Sequence, residues 1–460
     1  MNPTVLDTRE SVRTEPGPTL ADPPPRTLGL LDQVALWGNL GMTLLGPVSA
    51  LFVLMPAGVP RLSLAAAFAA TVAGTLIGTV LLALASYAGA QTAAPAMVLL
   101  RGLFGARLSY LPTVLNLVQC LGWAIFELAV ISAAAQRLLP WRVHWPYVVV
   151  AGVATTCMAL RPLGAVRLLR RYALVAVVLA VGYLVVQAAR HPLPSLTHGS
   201  WSGFWPAADV AIAVAVSWIP LAADYSRHAR SPRAAFTGSL LGYSVTQIAC
   251  YSLGLLAFTT LASGDGDPQQ QLFGAFLAVP LGWLAFAVLI ARELDESFTN
   301  VYSTVVSIQN LRPLTDRRVL AVAIGALATA GALVLRIAAY QDFLYLLGSV
   351  FVPMFAVFAV RYFLLRQHGP WDTSATAPAR PALLVPWLLG FVAYQLVNPG
   401  TVGAWQSFWT HAQSWLRLHP PSWASASLAS FAVAALATLL LAAVSARFSG
   451  RTLPTGTEAA

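Results

Sequence analysis

Long apolar stretches separated by short polar breaks run along most of the chain, from Leu31 to Ala446. A helix that crosses a bilayer needs about 20 predominantly apolar residues. Their length and periodicity therefore predict twelve membrane-spanning helices. The approximate bounds are Leu31–Met55, Leu62–Ala85, Tyr110–Ala134, Pro146–Leu160, Tyr172–Ala189, Pro206–Tyr225, Ala234–Leu261, Phe273–Val306, Val319–Ala338, Phe343–Leu365, Pro381–Val397 and Ser422–Ala446. The eighth stretch is longer than one crossing, which leaves room for a surface helix in its first turns.

Composition and charge agree with a membrane protein. Only 10% of the 460 residues are charged and 58% are hydrophobic, whereas a soluble domain has about 25% charged residues. This excludes a soluble enzyme. The 27 basic residues are all arginines, and about twenty of them fall on one side of the predicted membrane against six on the other. The positive-inside rule therefore predicts a plasma-membrane protein with both termini in the cytoplasm, and nucleic-acid binding is not needed to explain the charge.

Two features limit the other possibilities. The polar, proline-rich stretch Met1–Arg26 lacks the apolar core of a signal peptide and is predicted to be a disordered tail. Cys120, Cys157 and Cys250 all lie in apolar stretches, with neither a disulfide framework nor a metal-binding spacing.

Two predicted spans that lie five apart each carry a helix breaker. Span 1 contains Gly46-Pro47, and span 6 contains Pro220 after Ser217-Trp218. Proline removes a backbone donor and disturbs the preceding turn, and non-helical backbone at membrane depth is tolerated only inside protein or around a cavity. Paired breaks predict an inverted-repeat transporter that binds its substrate between the broken helices. Two ordinary proline kinks are the alternative.

Polar residues recur on one face of span 3. Asn116, Gln119, Trp123 and Glu127 follow one another at three- and four-residue steps. Such a face could stack a flat heterocycle on Trp123 while Glu127 accepts hydrogen bonds from the edge of the ring. The alternative is a polar seam that joins two helices.

Spans 6 and 8 add further candidates. Ser217 and Trp218 lie beside the predicted break, and Asp224 is expected to be a structural or gating partner of a loop arginine. In span 8, Arg292 can pair with Glu296 four residues later, while Asp295 and Thr299 share a face. Oxygen ligands there suit a monovalent cation, a carboxylate could equally carry a proton, and a self-neutralising ion-pair cluster is the alternative.

Several motifs make the chain resemble a known family, the nucleobase–cation symporter-1 or purine–cytosine permease family. It is most similar to the branch assigned to hydroxymethylpyrimidine transport. The motifs are Leu36-Trp37-Gly38, Arg101-Gly102-Leu103-Phe104-Gly105, residues 115–123, residues 217–227, Asn300-Val301-Tyr302-Ser303 and residues 348–353.

The resemblance implies an all-α, leucine-transporter-like fold with two inverted five-helix repeats plus two C-terminal helices. The repeats would cover residues 28–190 and 204–365, and the two extra helices residues 381–446. Residues 1–27 and 447–460 would form cytoplasmic tails.

The resemblance also implies two sites. With the polar face of span 3, it gives the substrate site as Gly46, Gln119, Trp123, Glu127, Ser217, Trp218 and Thr304. It gives a sodium site as the backbone of Met42 and Leu45 with Asp295, Phe298 and Thr299. Phe298 stands where some relatives have a hydroxyl ligand, so acidic Asp295 and Glu296 compensate or carry a proton instead. Arg361 stands where relatives often have an acidic residue.

The expected activity is import of an aminopyrimidine, driven by Na⁺ or H⁺ without another cofactor. Glu127 can accept from an exocyclic amine and a protonated ring nitrogen, which favours hydroxymethylpyrimidine. Cytosine, a purine or a hydantoin or allantoin are alternatives. The expected partners are this small heterocycle and the lipid bilayer, with no obligate protein partner. An intramembrane enzyme that uses Glu127 and Asp295 as acid and base, or a sensor that does not transport, remain alternatives from other classes.

Overall fold

The computed structural model describes residues 16–139, 143–168, 174–261, 268–334, 340–365 and 371–448. Its α-helices are α1 (Leu30–Leu40), α2 (Leu45–Leu54), α3 (Leu64–Thr92), α4 (Ala96–Leu99), α5 (Arg101–Phe104), α6 (Tyr110–Leu138), α7 (Trp145–Leu160), α8 (Pro162–Leu168), α9 (Leu174–Ala189), α10 (Phe204–Ser217), α11 (Ile219–Ser226), α12 (Pro232–Thr260), α13 (Pro268–Ala278), α14 (Gly282–Leu311), α15 (Arg317–Val334), α16 (Tyr340–Ala359), α17 (Leu384–Val397), α18 (Gly403–Trp415) and α19 (Ala426–Phe448). A π-helical turn, Val360–Leu364, continues α16, and a 3₁₀ turn, Pro381–Leu383, precedes α17.

Each of the twelve predicted spans corresponds to a helix or a pair of helices. Within the described ranges, seven helical spans are long and apolar enough to cross a membrane, and the bent pair α1–α2 makes an eighth. Helices α7, α9 and α17 are apolar but shorter, and α14 carries four charged residues in its middle. The long eighth stretch divides into α13 and α14, as its length suggested. The number of actual crossings stays a prediction.

The break in span 1 lies one turn before the predicted position. Helix α1 ends at Leu40, α2 begins at Leu45, and their axes differ by 63°. Pro47 is the third residue of α2, where a missing N–H costs no intrahelical hydrogen bond, so proline does not break this helix. At Gly41, the residue that follows α1, a Cβ would lie 2.2 Å from the Thr246 hydroxyl, so glycine allows α12 to approach the break.

The break in span 6 is much smaller than predicted. Only Trp218 lies outside α10 and α11, and the two helices together form one span, Phe204–Ser226. Pro220 is the second residue of α11, where proline again fits the first turn. The predicted symmetry of two unwound segments is therefore only partial.

Helix packing divides the spans into two groups. Helices α1, α2, α10 and α11 pack with α3 and α12, so spans 1 and 2 lie with spans 6 and 7. Helix α6 packs along α14, and α7 packs against α14 and α15, which groups spans 3 and 4 with spans 8 and 9. Each group thus combines corresponding spans of the two halves. Helices α17 and α19 pack on each other and on α16, outside both groups.

Small residues allow the closest of these contacts. A Cβ at Gly74 of α3 would lie 2.3 Å from the carbonyl oxygen of Ala208 in α10, and one at Gly78 would lie 2.7 Å from the Cβ of Ala215. The two glycines, four residues apart, therefore bring α3 and α10 into backbone contact. This is the use of such a pair that membrane helices favour.

Two regions differ from the sequence analysis. Helix α18 lies between the eleventh and twelfth predicted spans, in a stretch where no helix was predicted. Residues 16–26 of the predicted disordered tail are docked: Pro16, Gly17 and Pro18 accept hydrogen bonds from Arg317, and Arg26 donates to the carbonyl oxygens of Ala90 and Ala229. Residues 1–15 and 449–460 of the two predicted tails lie outside the described residues.

Candidate functional site

One face of α6 meets the α10–α11 junction through Gln119. Its Nε2 donates to the carbonyl oxygen of Ser217 at 2.7 Å. The amide oxygen of Gln119 is buried and has no hydrogen-bond partner among the described residues. The Ser217 hydroxyl turns back to the Val214 carbonyl, 2.8 Å away. The junction therefore presents an unused acceptor from α6 and no free hydroxyl from Ser217.

Aromatic rings lie on both sides of this junction. Trp218 meets the edge of Trp37 from α1, with ring centroids 6.5 Å apart. Trp123 packs at 5.2 Å against Phe343, which also stacks on Phe126 at 5.6 Å. Trp123 and Trp218 are almost fully buried. Helices α1, α6 and α16 and the α10–α11 junction thus each bring an aromatic surface to this region.

The remaining polar residue on this face, Asn116, belongs to a seam between α6 and α14. Its Nδ2 donates to the Ser307 hydroxyl at 2.9 Å, and its Oδ1 accepts from the Cys120 thiol at 3.4 Å. Further along, Asn310 of α14 donates to Thr113. For Asn116, the structure therefore agrees with a helix-joining seam.

Helix α14 carries a buried ion-pair cluster in its middle. The Arg292 guanidinium lies 2.7 Å from Glu296, 3.3 Å from Glu293 and 3.4 Å from Asp295. Its second terminal nitrogen also donates to the carbonyl oxygen of Asn39, at the end of α1. The predicted Arg292–Glu296 pair is confirmed, and Arg292 links α14 to span 1.

Glu293 makes a second connection to the break in span 1. Its carboxylate accepts hydrogen bonds from the Thr43 hydroxyl at 2.7 Å and from the Leu44 backbone N–H at 2.9 Å. This N–H is one of the unsatisfied donors at the start of α2, so Glu293 does from a distant helix what a capping residue does locally. The position of the break thus depends on α14.

Glu127 of α6 faces the same cluster. One carboxylate oxygen each from Glu127, Glu293 and Glu296 lies within 4.8 Å of the other two. Glu127 is completely buried, and neither of its oxygens has a hydrogen-bond partner among the described residues. A buried carboxylate without a hydrogen-bond donor is strongly unfavourable, which indicates that this side chain binds a ligand or carries a proton.

The residues that the resemblance gives for sodium have other contacts here. The Thr299 hydroxyl donates to the Asp295 carbonyl at 2.7 Å, and the Leu45 carbonyl accepts from Ser49. Phe298 is fully buried and brings no oxygen from its side chain. Met42 donates its N–H to Asn39. Arg292 and Glu293 also join α14 to the break in span 1, and the sodium site that the resemblance implies stays a prediction.

Three other predicted residues have mainly structural contacts. A Cβ at Gly46 would lie 2.7 Å from the Cys250 sulfur, so this glycine allows α2 to approach α12. The Thr304 hydroxyl donates to the Asn300 carbonyl at 2.8 Å. Asp224 accepts from the backbone N–H of Ala96 at 2.9 Å, which anchors α4, and it also interacts electrostatically with Arg227, an arginine of the following loop as the sequence analysis expected.

The predicted substrate residues are all shielded from solvent. Their side chains are at most 8% exposed, and Gly46 is buried as well. The structure is therefore an occluded conformation at this site. The sequence analysis assigned no role to Glu293, and the signal that was available is its three-residue spacing from Glu296 on one face of α14.

Comparison with known proteins identifies the chain. Residues 32–377 match the model of a family described as permeases for cytosine/purines, uracil, thiamine and allantoin. The chain belongs to this permease family. A putative purine-cytosine permease, YxlA of Bacillus subtilis (strain 168), is 25% identical over 332 residues, which cover 67% of this chain and 70% of that protein.

Solved structures of the transporter Mhp1 share the fold of this permease. Mhp1 of the nucleobase-cation-symport-1 family, closed with bromovinylhydantoin bound, has a TM-score of 0.72 at 16% identity, covering 97% of this chain and 98% of that one. Its inward-facing form has a TM-score of 0.66 at 15% identity, covering 97% and 95%. The leucine-transporter-like fold is confirmed. The permease is a multi-pass membrane transporter and not an enzyme.

Proposed function

We propose that this permease is a secondary active symporter that imports a pyrimidine-type heterocycle with Na⁺ or H⁺ by alternating access. The favoured substrate is an aminopyrimidine, of which the thiamine precursor hydroxymethylpyrimidine is the first candidate. Cytosine, a purine, or a hydantoin or allantoin are the alternatives. The substrate would bind between α6 and the α10–α11 junction, where the two groups of helices meet.

One observation carries the choice of substrate: the buried acceptors on α6 lack donors. Within the part of the chain that the structure describes, the Gln119 amide oxygen and both Glu127 carboxylate oxygens are without hydrogen-bond partners. Leaving such a group unpaired costs about 1–3 kcal/mol. Trp123 lies midway between them on the same helical face, so a ring stacked on Trp123 has an acceptor on either side. A ring that carries an amine supplies the missing donors, whereas an oxo-rich ring supplies fewer.

The division of the helices supports alternating access. The candidate site lies between the α1–α3, α10–α12 group and the α6–α7, α14–α15 group. Rocking of one group against the other would expose the site to each side in turn, as in transporters built from inverted repeats. Mhp1, with the same fold, has been solved in closed and inward-facing conformations.

Counterflow in proteoliposomes tests the proposal. Vesicles containing the full chain are preloaded with unlabelled hydroxymethylpyrimidine, cytosine, uracil or hydantoin, and uptake of the labelled compound is followed with and without sodium. We expect hydroxymethylpyrimidine to exchange and uracil to exchange at least about fivefold less well, the factor that 1 kcal/mol represents. Preferential exchange of uracil or hydantoin would contradict the donor argument. Exchange of none of the four would show that the substrate class is wrong.

A further inference from the structure

The three carboxylates between α6 and α14 are spaced for a shared cation. Hard cations bind oxygen ligands at about 2.3–2.6 Å, so two oxygens on one ion can be separated by at most about 5 Å. The oxygens of Glu127, Glu293 and Glu296 lie within 4.8 Å of one another. They come from two helices, and all three side chains are at least nine-tenths buried. One ion can therefore contact all three.

The charges of the cluster are unbalanced without such an ion. Four carboxyl groups, those of Glu127 and of Glu293, Asp295 and Glu296 on α14, surround the single guanidinium of Arg292. Excess negative charge in a buried site is costly. The side chain with the greatest need is Glu127, because Arg292 pairs with the three acids of α14 while both Glu127 oxygens lack a partner among the described residues.

The guanidinium also restricts which cation fits. Arg292 Nη1 contacts Glu296 at 2.7 Å and Glu293 at 3.3 Å, so an ion bound to the same carboxylates lies close to a positive charge. The attraction of the carboxylates grows in proportion to the charge of the ion, and Arg292 offsets part of it. The Born cost of taking the ion out of water grows with the square of its charge. The two terms together favour a monovalent ion over a divalent one.

We propose that Glu127, Glu293 and Glu296 bind the coupling cation, a sodium ion. This site differs from the set of span 1 carbonyls and α14 groups that the resemblance implies. The inference rests on the proposed symport function for its role, while the binding itself can be measured without any substrate.

The arrangement also gives the ion a route to both moving parts. The Glu293 carboxylate accepts hydrogen bonds from the Thr43 hydroxyl and the Leu44 N–H. An ion bound to Glu293 is therefore connected to the break in span 1 through this one side chain. Glu127 has a second oxygen that remains available to the substrate region on α6. Binding of sodium would thus fix the break and orient Glu127 together.

Binding of radioactive sodium to the purified full-length protein, with no heterocycle present, tests the site. The titration is made at fixed pH and ionic strength with choline as the replacing cation. We expect Glu296→Gln and Glu127→Gln to raise the half-saturating sodium concentration by about tenfold or more, because affinity at oxygen sites depends on the number of charged ligands. Glu296→Asp keeps the charge and is expected to lose less sodium affinity than Glu296→Gln.

Two control variants separate this site from others. Asp342→Asn removes a carboxylate that binds Thr401 on the exposed surface of α16, and Thr299→Ala alters the site that the resemblance implies. Both should leave half-saturation within about twofold of wild type. Size-exclusion chromatography and thermal unfolding establish that each variant is folded, and Glu296→Asp provides the measurement if a glutamine variant is not.

Three results would overturn the site: no saturable sodium binding by the wild type, an isotherm unchanged by both glutamine variants, or an equal loss in Thr299→Ala. Because no heterocycle is present, an incorrect substrate leaves this measurement intact. Conversely, hydroxymethylpyrimidine exchange that is normal in a protein that does not bind sodium overturns the cation site alone.

Discussion

Gln119 and Asn116 lie one turn apart on the same face of α6, and they offer a matched test of the substrate site. Both polar atoms of the Asn116 amide have partners in the seam with α14 and α6. Gln119 uses only its Nε2, and its amide oxygen is left buried without a partner among the described residues. We expect Gln119→Met to weaken substrate binding and Asn116→Leu to weaken only the fold.

The structure gives the size of both effects. Gln119→Met removes an unsatisfied acceptor but leaves the Ser217 carbonyl without its donor, so the free energy of unfolding should fall by at most about 1–3 kcal/mol. A substrate N–H that loses this acceptor costs about 1–3 kcal/mol, which is about 5- to 150-fold in affinity. Asn116→Leu leaves the Ser307 hydroxyl without its donor and should lower stability by about 1–3 kcal/mol.

Two measurements on each variant are sufficient. Affinity comes from the concentration dependence of hydroxymethylpyrimidine exchange in proteoliposomes, and stability from thermal unfolding in detergent. The reasoning is refuted if Gln119→Met keeps affinity within about twofold while Asn116→Leu loses it. It is also refuted if the two variants lose affinity equally, because the unused acceptor would then have no special role.

Four further outcomes are expected. Trp218→Ala should weaken substrate binding by about 1–3 kcal/mol, the value of one lost stacking contact, and Trp218→Phe should restore most of the affinity in the same exchange assay. Arg317→Ala should lower the unfolding free energy by about 1.5–3 kcal/mol, because its guanidinium donates to the carbonyl oxygens of Pro16 and Gly17 in the N-terminal segment and of Leu160 at the end of α7. Thermal unfolding measures this loss. Gly41→Ala should cost about 1–3 kcal/mol in that assay, because the added methyl group would lie 2.2 Å from a threonine hydroxyl of α12. Burial lowers the pKa of His228 in the loop after α11, so the folded chain binds a proton at this imidazole less readily than the unfolded chain does. The free energy of unfolding should therefore fall as the pH drops below about 6.5. Thermal unfolding should show a steeper fall in the wild type than in His228→Asn.

Local pattern was sufficient for most of the helices and for part of the site. Apolar length gave a helix or helix pair for each predicted span, and four-residue spacing gave the Arg292–Glu296 pair. It also put Gln119 and Glu127 on one face. These features depend only on helix geometry, which is the same wherever the helix packs.

The break in span 1 shows where local pattern is insufficient. Gly46-Pro47 indicated a break, but proline is compatible with the first turn of a helix, and the chain unwinds at residues 41–44. Two distant elements fix that position: Thr246 of α12 leaves room for glycine alone, and Glu293 of α14 binds the free donors of Thr43 and Leu44. Neither contact can be inferred from residues near the break.

The sequence by itself thus determined the membrane class, the approximate spans and which polar residues share a helical face. Only the tertiary structure decided which acid of α14 meets the break in span 1 and which acceptors on α6 lack a donor. No local pattern shows which of Glu293, Asp295 and Glu296 reaches α1 and which reaches α6. Their partners depend on the rotation of α14 relative to α1 and α6, which is set by the packing of the whole helix surface.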